Sequence, residues 1–249
     1  MRTHFQSGAG LAIAGLLTLG LSTIRAEDGM RDESKPLYTE DFSTDLSNWV
    51  SEGPGQAEVK DGKLVLKTRD KAPDGKQESG QYLWYKQDLP ADFRAEFDFT
   101  PTSRSGFFLL FFCAKGTGGE DILGDKLMKD YTALRDFKKY TIGPINCYHI
   151  SYRRNQSADC NLRKNTGKHL LMSSKIEQLI PAGKAAHIIL TKQDGHISLT
   201  IDGVSFMDFT DDGKLNGGVY GAGKFGFRQV YESAGEYDNL KIFDLTPAK

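Results

Sequence analysis

The chain has 249 residues, 39% of them hydrophobic, and its 32 basic and 33 acidic side chains leave a formal net charge of -1. That balance creates no global field to draw in nucleic acid or an acidic membrane surface, so no nucleic-acid partner is expected and electrostatic recognition has to be local. The three cysteines match no zinc-binding spacing.

Arg2 and His4 precede an apolar run, Leu11 to Leu21, and Ser22-Thr23-Ile24-Arg25-Ala26 then leads into acidic residues. A charged start, a short apolar middle and a small residue at the cut site have the form of a secretory signal over residues 1–26. The run is short of the ~20 apolar residues that span a bilayer. The expectation is a periplasmic or secreted protein with no stable membrane anchor, whose mature part, 27–249, is a single domain.

From Lys35 to Val50 the pattern predicts a short strand and a turn rich in Asp, Ser and Thr, with Phe42 and Trp49 facing the core. Glu58 to Thr68 is a hairpin about Asp61-Gly62, a dipeptide that tolerates positive φ in a tight turn. Residues 71–80 form a polar loop, and Gln81 to Gln87 a strand carrying Tyr82, Trp84 and Tyr85. Between Phe93 and Thr100 the alternation is clean, with Phe93, Ala95, Phe97 and Phe99 on one face and Arg94, Glu96 and Asp98 on the other. Phe107 to Ala114 is apolar on both faces, as a central strand covered on both sides would be. A long connection at about 115–146 breaks the β pattern and is predicted to be a flap at the rim of a site.

Cys147 to Leu170 follows, with a polar set (His149, Ser151, Arg153, Asn161, Arg163, His169) alternating against Tyr148, Ile150, Tyr152 and Leu162. A presented face of imidazole, guanidinium, amide and hydroxyl groups suits an anionic or hydroxyl-rich ligand. The plainer reading is a solvated sheet face whose charges pair with nearby carboxylates. Cys147 and Cys160 flank this hairpin and face each other in one register, whereas Cys113 reads as a buried small hydrophobe. Two further turns, Asp194-Gly195 and Asp202-Gly203, join alternating strands into a meander, and Lys224 to Val230 and Glu236 to Phe243 close an all-β chain.

The pieces DFSTDLSNWVSEGPG, FRAEFDF, GGEDI, YHISYRRN, CNLRKNTGKHL, GAGKFGFRQ and EYDNLKIF together resemble the YesU-like family of bacterial proteins, found in settings of plant and algal polysaccharide use. The resemblance covers nearly the whole mature chain. It implies a concanavalin-A-like jelly roll, two antiparallel sheets with a concave face that holds oligosaccharide in related folds.

On that fold the expected partner is a polysaccharide, an acidic one by the density of Arg and His, and cleavage is expected by one of two routes. A lyase would take His149 or His169 as base, Arg153, Arg163 and Arg228 as carboxylate neutralisers and Tyr152 or Tyr148 as acid. Both tyrosines have the parity of the face opposite His149, which counts against them unless a bulge intervenes. A hydrolase would take Glu96 and Asp98, which share a face at i, i+2; their plainer role is pairing with those arginines. The alternative is a non-catalytic lectin-like module that stacks sugars on Trp84, Tyr82 and Tyr85 and hydrogen-bonds them through Asn161 and the same arginines; by alternation at least one of the three aromatics packs in the core instead. No cofactor is required. Asp41, Asp45 and Asp238, near the first and last strands, are the candidate ligands of a structural Ca²⁺, against an ordinary use in turns.

Overall fold

The computed structural model describes residues 35–68, 80–104, 106–129, 138–153, 159–175 and 180–247. The expected signal segment at 1–26, the expected loop over 71–79, the middle of the expected flap at 130–137 and residues 154–158 of the central polar stretch lie outside the described residues.

Four short strands open the fold, β1 (Tyr38–Glu40), β2 (Trp49–Glu52), β3 (Gln56–Lys60) and β4 (Lys63–Lys67). The longer β5 (Gln81–Leu89), β6 (Phe93–Pro101) and β7 (Phe107–Gly116) follow, then two short helices, α1 (Asp125–Lys129) and α2 (Lys138–Thr141). The central polar stretch forms β8 (Ile145–Arg153), β9 (Asp159–Asn165) and β10 (His169–Lys175). The meander is β11 (Ala186–Gln193), β12 (His196–Ile201) and β13 (Val204–Thr210), and β14 (Gly223–Val230) and β15 (Ala234–Asp244) end the chain.

These strands make two antiparallel sheets. The first runs β13-β12-β11-β6-β15-β4-β3 with β1 also on β15, and the second runs β10-β9-β8-β7-β14-β5-β2. The hairpins at Asp61-Gly62, Asp194-Gly195 and Asp202-Gly203 turn with both residues at positive φ, as tight turns of matching twist require. Chain neighbours β5 and β6 fall in different sheets, as do β14 and β15.

Alternation then builds the core. Phe93, Ala95, Phe97 and Phe99 of the first sheet meet Phe108, Leu110, Phe112, Tyr148, Ile150 and Phe227 of the second. Each large aromatic buried there contributes about 1.5–3 kcal/mol relative to exposure. β7 is apolar on its other face too, because Ile122, Leu127 and Tyr140 cover the outside of the second sheet. There Leu109 and Phe111 join Tyr82, Trp84, Ile122, Leu127, Tyr140 and Cys147 in a second cluster. Gly226 makes this possible, since a Cβ at that position would lie 2.5 Å from the Trp84 ring.

The strand ladder rules out the cysteine pairing that one register allowed. Cys147 lies opposite Asn165 and Cys160 opposite Ser174, and Cys147 is a free, buried thiol. Among the described residues no helix is long and apolar enough to cross a membrane.

Candidate functional site

The outer face of the second sheet gathers most of the chemistry. Tyr148 and Ile150 of β8 point into the core, so Cys147, His149 and Ser151 point outward. On β9, Leu162 points inward, and Asn161, Arg163 and Asn165 share the outward side. The ladder places His149 opposite Arg163, Ser151 opposite Asn161, and Asn161 opposite Ser173 of β10, whose hydroxyl donates to the Asn161 amide oxygen at 2.7 Å. Arg228, outward on β14, lies against the Tyr82 ring at 4.8 Å.

His149 sits at the middle of this face. Its ring stacks on Phe111 at 5.1 Å, and the Asn165 amide nitrogen donates to Nδ1 at 2.8 Å, which leaves the proton of the neutral ring on Nε2. Burial, then Arg228, Arg163 and Lys168, push its pKa down to about 3. At neutral pH it is therefore an uncharged hydrogen-bonding group and a poor proton acceptor. The neighbouring Cys147 thiol is pushed up to about 12 by burial, so it stays protonated and unreactive.

A second polar knot lies between β2 and α2. Glu52, outward on β2, accepts hydrogen bonds from Trp84 Nε1 at 3.2 Å, from the Lys139 ammonium and from the Tyr140 hydroxyl. Lys139 and Tyr140 come from α2, and both are buried. Burial and the adjoining Glu52 carboxylate hold the Tyr140 hydroxyl well above its ordinary pKa. Trp84 is sealed beneath Tyr140, ring centroids 5.2 Å apart, so it offers no open platform for a sugar.

Several expected participants stand elsewhere. Glu96 and Asp98 lie on β6 of the first sheet, outside it, so the whole core separates them from His149, Arg163 and Arg228. Parity along a strand is local, whereas sheet membership is set by pairing, and β6 pairs with β11 and β15. Nor do these carboxylates pair with the arginines of the second sheet. Glu96 takes Arg94 Nε at 2.7 Å, and Asp98 takes His187 Nδ1 at 2.9 Å and the Asn239 amide at 2.8 Å.

His169 lies opposite Lys164, with the parity of the core side and not that of Arg163. Tyr152 and Arg153 are placed by backbone register, opposite Phe108 and Phe107, and their side chains lie outside the described residues. The proposed calcium ligands do not assemble. Asp41 and Asp45 each accept hydrogen bonds from the side chain and then the backbone N–H of the serine two residues on, Ser43 and Ser47, which lowers both pKa values. Asp238 faces Asp98 across the β15–β6 ladder. Among the described residues no group of three or more His, Cys, Asp or Glu is arranged to hold a metal.

Glu52, Lys139, Tyr140, Asn165 and Lys168 were not singled out by the sequence reading. Glu52 alone carried a signal, as the residue sharing the outward parity of Val50 just before a Gly-Pro turn.

Comparison with known proteins fits this architecture. A crystal structure described as a protein of unknown function with galectin-like fold from Bacillus subtilis superposes with a TM-score of 0.74 at 29% identity, covering 84% of this chain and 95% of that one. An endo-β-1,3(4)-glucanase of family GH16 superposes at 0.56 with 12% identity, covering 84% and 91%, a likeness of fold alone. The uncharacterized protein YesU of Bacillus subtilis (strain 168) is 30% identical over 207 residues, covering 80% of this chain and 90% of the relative. The model of the domain-of-unknown-function family DUF1961 matches residues 35–242, and the chain therefore belongs to that family.

Proposed function

We propose that this protein binds a polysaccharide bearing acidic groups on the outer face of the second sheet. The observation that carries the reading is the placing of Arg163 and the exposed Lys168 beside a neutral His149, with the charge of the buried Arg228 nearby, on one face of a chain whose net charge is -1. The Arg163 guanidinium presents a planar donor pair matched to carboxylates, and the half-buried Asn161 amide and Ser151 hydroxyl and the exposed Ser173 hydroxyl beside it suit sugar hydroxyls. The likeness in fold to a glucanase supports a sugar polymer as ligand.

Binding is favoured over cleavage by the same geometry. Glu96 and Asp98 lie across the core, Glu52 is engaged by three donors, and His149 is uncharged at neutral pH. The test is calorimetric titration of oligogalacturonate, oligomannuronate and a neutral cello-oligosaccharide. Binding of a uronate, weakened about tenfold in Arg163→Ala, is expected. Equal affinity for the neutral chain, or an unchanged Arg163→Ala, would discard the acidic reading, and release of unsaturated uronate would replace binding with lysis.

Export fits this role, and the basic start, the run Leu11 to Leu21 and Ala26 support it. Protein recovered from periplasm or medium is expected to begin at Glu27. A mature form that begins at Met1 in the cytoplasm would overturn it.

A further inference from the structure

We infer that Tyr231 is a ligand-stacking residue at the rim of this face, with Glu232 beside it as an acceptor for sugar hydroxyls. The inference rests on the carbohydrate reading above and adds to it a subsite that does not depend on charge.

The argument begins with backbone conformation. β14 ends at Val230 in the second sheet and β15 starts at Ala234 in the first, so three residues carry the chain between sheets. Two of them, Tyr231 and Glu232, have φ of +63° and +56°. Left-handed backbone disfavours residues with a Cβ, and a bulky aromatic has no short polar side chain to compensate locally. This chain meets the same need with Asp-Gly at 61–62, 194–195 and 202–203. Here alone among its consecutive positive-φ pairs in the described residues, it places an aromatic and an acid.

Packing does not repay the choice. Tyr231 is 46% exposed, and Glu232 is exposed. The Tyr231 ring leans on Phe107 at 4.9 Å and 54°, and Phe107 borders the same outer cluster as Tyr82 and Val230. Tyr231 is also close enough to Arg228 to interact with its charge. Behind the turn, Ser233 is buried, and a Cβ on Gly106 would lie 2.3 Å from its Cβ, so the turn is pinned against the sheet. The result is an accessible ring held still at the end of β14, next to the buried Arg228, and strained backbone of this kind is concentrated at sites that bind. A pyranose of the bound chain has an apolar C–H face that stacks on such a ring.

The experiment compares four variants with wild type, reading affinity for the panel uronate that wild type binds and the melting temperature. Tyr231→Ala is expected to lose about tenfold in affinity, and Tyr231→Phe to keep it. The double change Tyr231→Asn with Glu232→Gly installs the favoured turn. It should melt about 2–8 °C higher and still bind weakly. If it melts lower, or binds as wild type does, Tyr231 is a structural residue and the inference is overturned. If Arg163→Ala weakens binding and Tyr231→Ala does not, this inference falls while the carbohydrate reading stands. If wild type binds no member of the panel, both fall.

Discussion

Replacing Lys164 with alanine is expected to destabilise the protein by about 3–5 kcal/mol, read as a shift of the urea midpoint. The Lys164 side chain is 0% exposed, and its ammonium lies 2.7 Å from Asp211 Oδ2, itself 2% exposed. The same ammonium donates to the Leu215 carbonyl at 2.6 Å and to that of Gly218, and it lies over the Tyr220 ring at 4.8 Å. Burial alone would raise the Asp211 carboxyl, but hydrogen bonds from Lys164, Tyr148 and the Gly213 N–H hold it below the usual range. Tyr220 completes the lock, its N–H donating to the Tyr148 hydroxyl at 3.0 Å and its own hydroxyl to the Asn165 carbonyl at 2.6 Å. The network ties the segment from Asp211 to Tyr220 onto β8 and β9, the strands that carry His149 and Arg163. Truncating Lys164 leaves a buried carboxylate without its counter-charge and two carbonyls without this donor. A loss below about 1 kcal/mol would show that the segment is held by other means.

Stability is expected to fall as pH drops from about 6.5 towards 3, in part through His149, and the His149→Phe variant should lack that part. The sign follows from the lowered pKa. Unfolded, the imidazole titrates near its ordinary 6.5, whereas folded it titrates near 3. Between those values the unfolded chain binds a proton that the folded chain does not, so the stabilisation is complete above pH 6.5 and is lost on acidification. The difference amounts to about 5 kcal/mol at most. The groups responsible are on the page: burial against Phe111, the Asn165 amide at Nδ1, and the cations Arg228, Arg163 and Lys168. Phenylalanine keeps the stack on Phe111 and removes the titration. Parallel acid curves for wild type and His149→Phe would refute the assignment, as would an NMR titration placing the His149 pKa near 6.

Much of the strand pattern was legible beforehand. The Asp-Gly dipeptides at 61–62, 194–195 and 202–203 announced their turns, because few residues accept two positive φ values in succession. The alternation from Phe93 to Phe99 sorted inward from outward correctly, and the doubly apolar Phe107 to Ala114 announced a strand covered on both sides. The turn at Tyr231 and Glu232 carried no such mark, since neither residue type signals left-handed backbone.

The site was less legible. Glu96 and His149 each had the right kind of side chain on the outward side of a strand, yet they are outward on different sheets. Trp84 and Arg228 were expected to be open and are buried, because Ile122, Leu127 and Tyr140 join a second apolar cluster on that side of the sheet. The ligand-like Asp41 and Asp45 satisfy their own turns.

The sequence by itself determined which residues turn, which alternate and which side of its own strand each faces, since these depend on φ preferences and a period of two. Tertiary structure alone decided which strands share a sheet, and so which polar side chains meet. It also decided that Lys164 and Asp211, 47 positions apart by subtraction of their residue numbers, would be buried as a pair. Pairing between distant strands is settled by which apolar faces bury most together, a property of the assembled sandwich that no local pattern records.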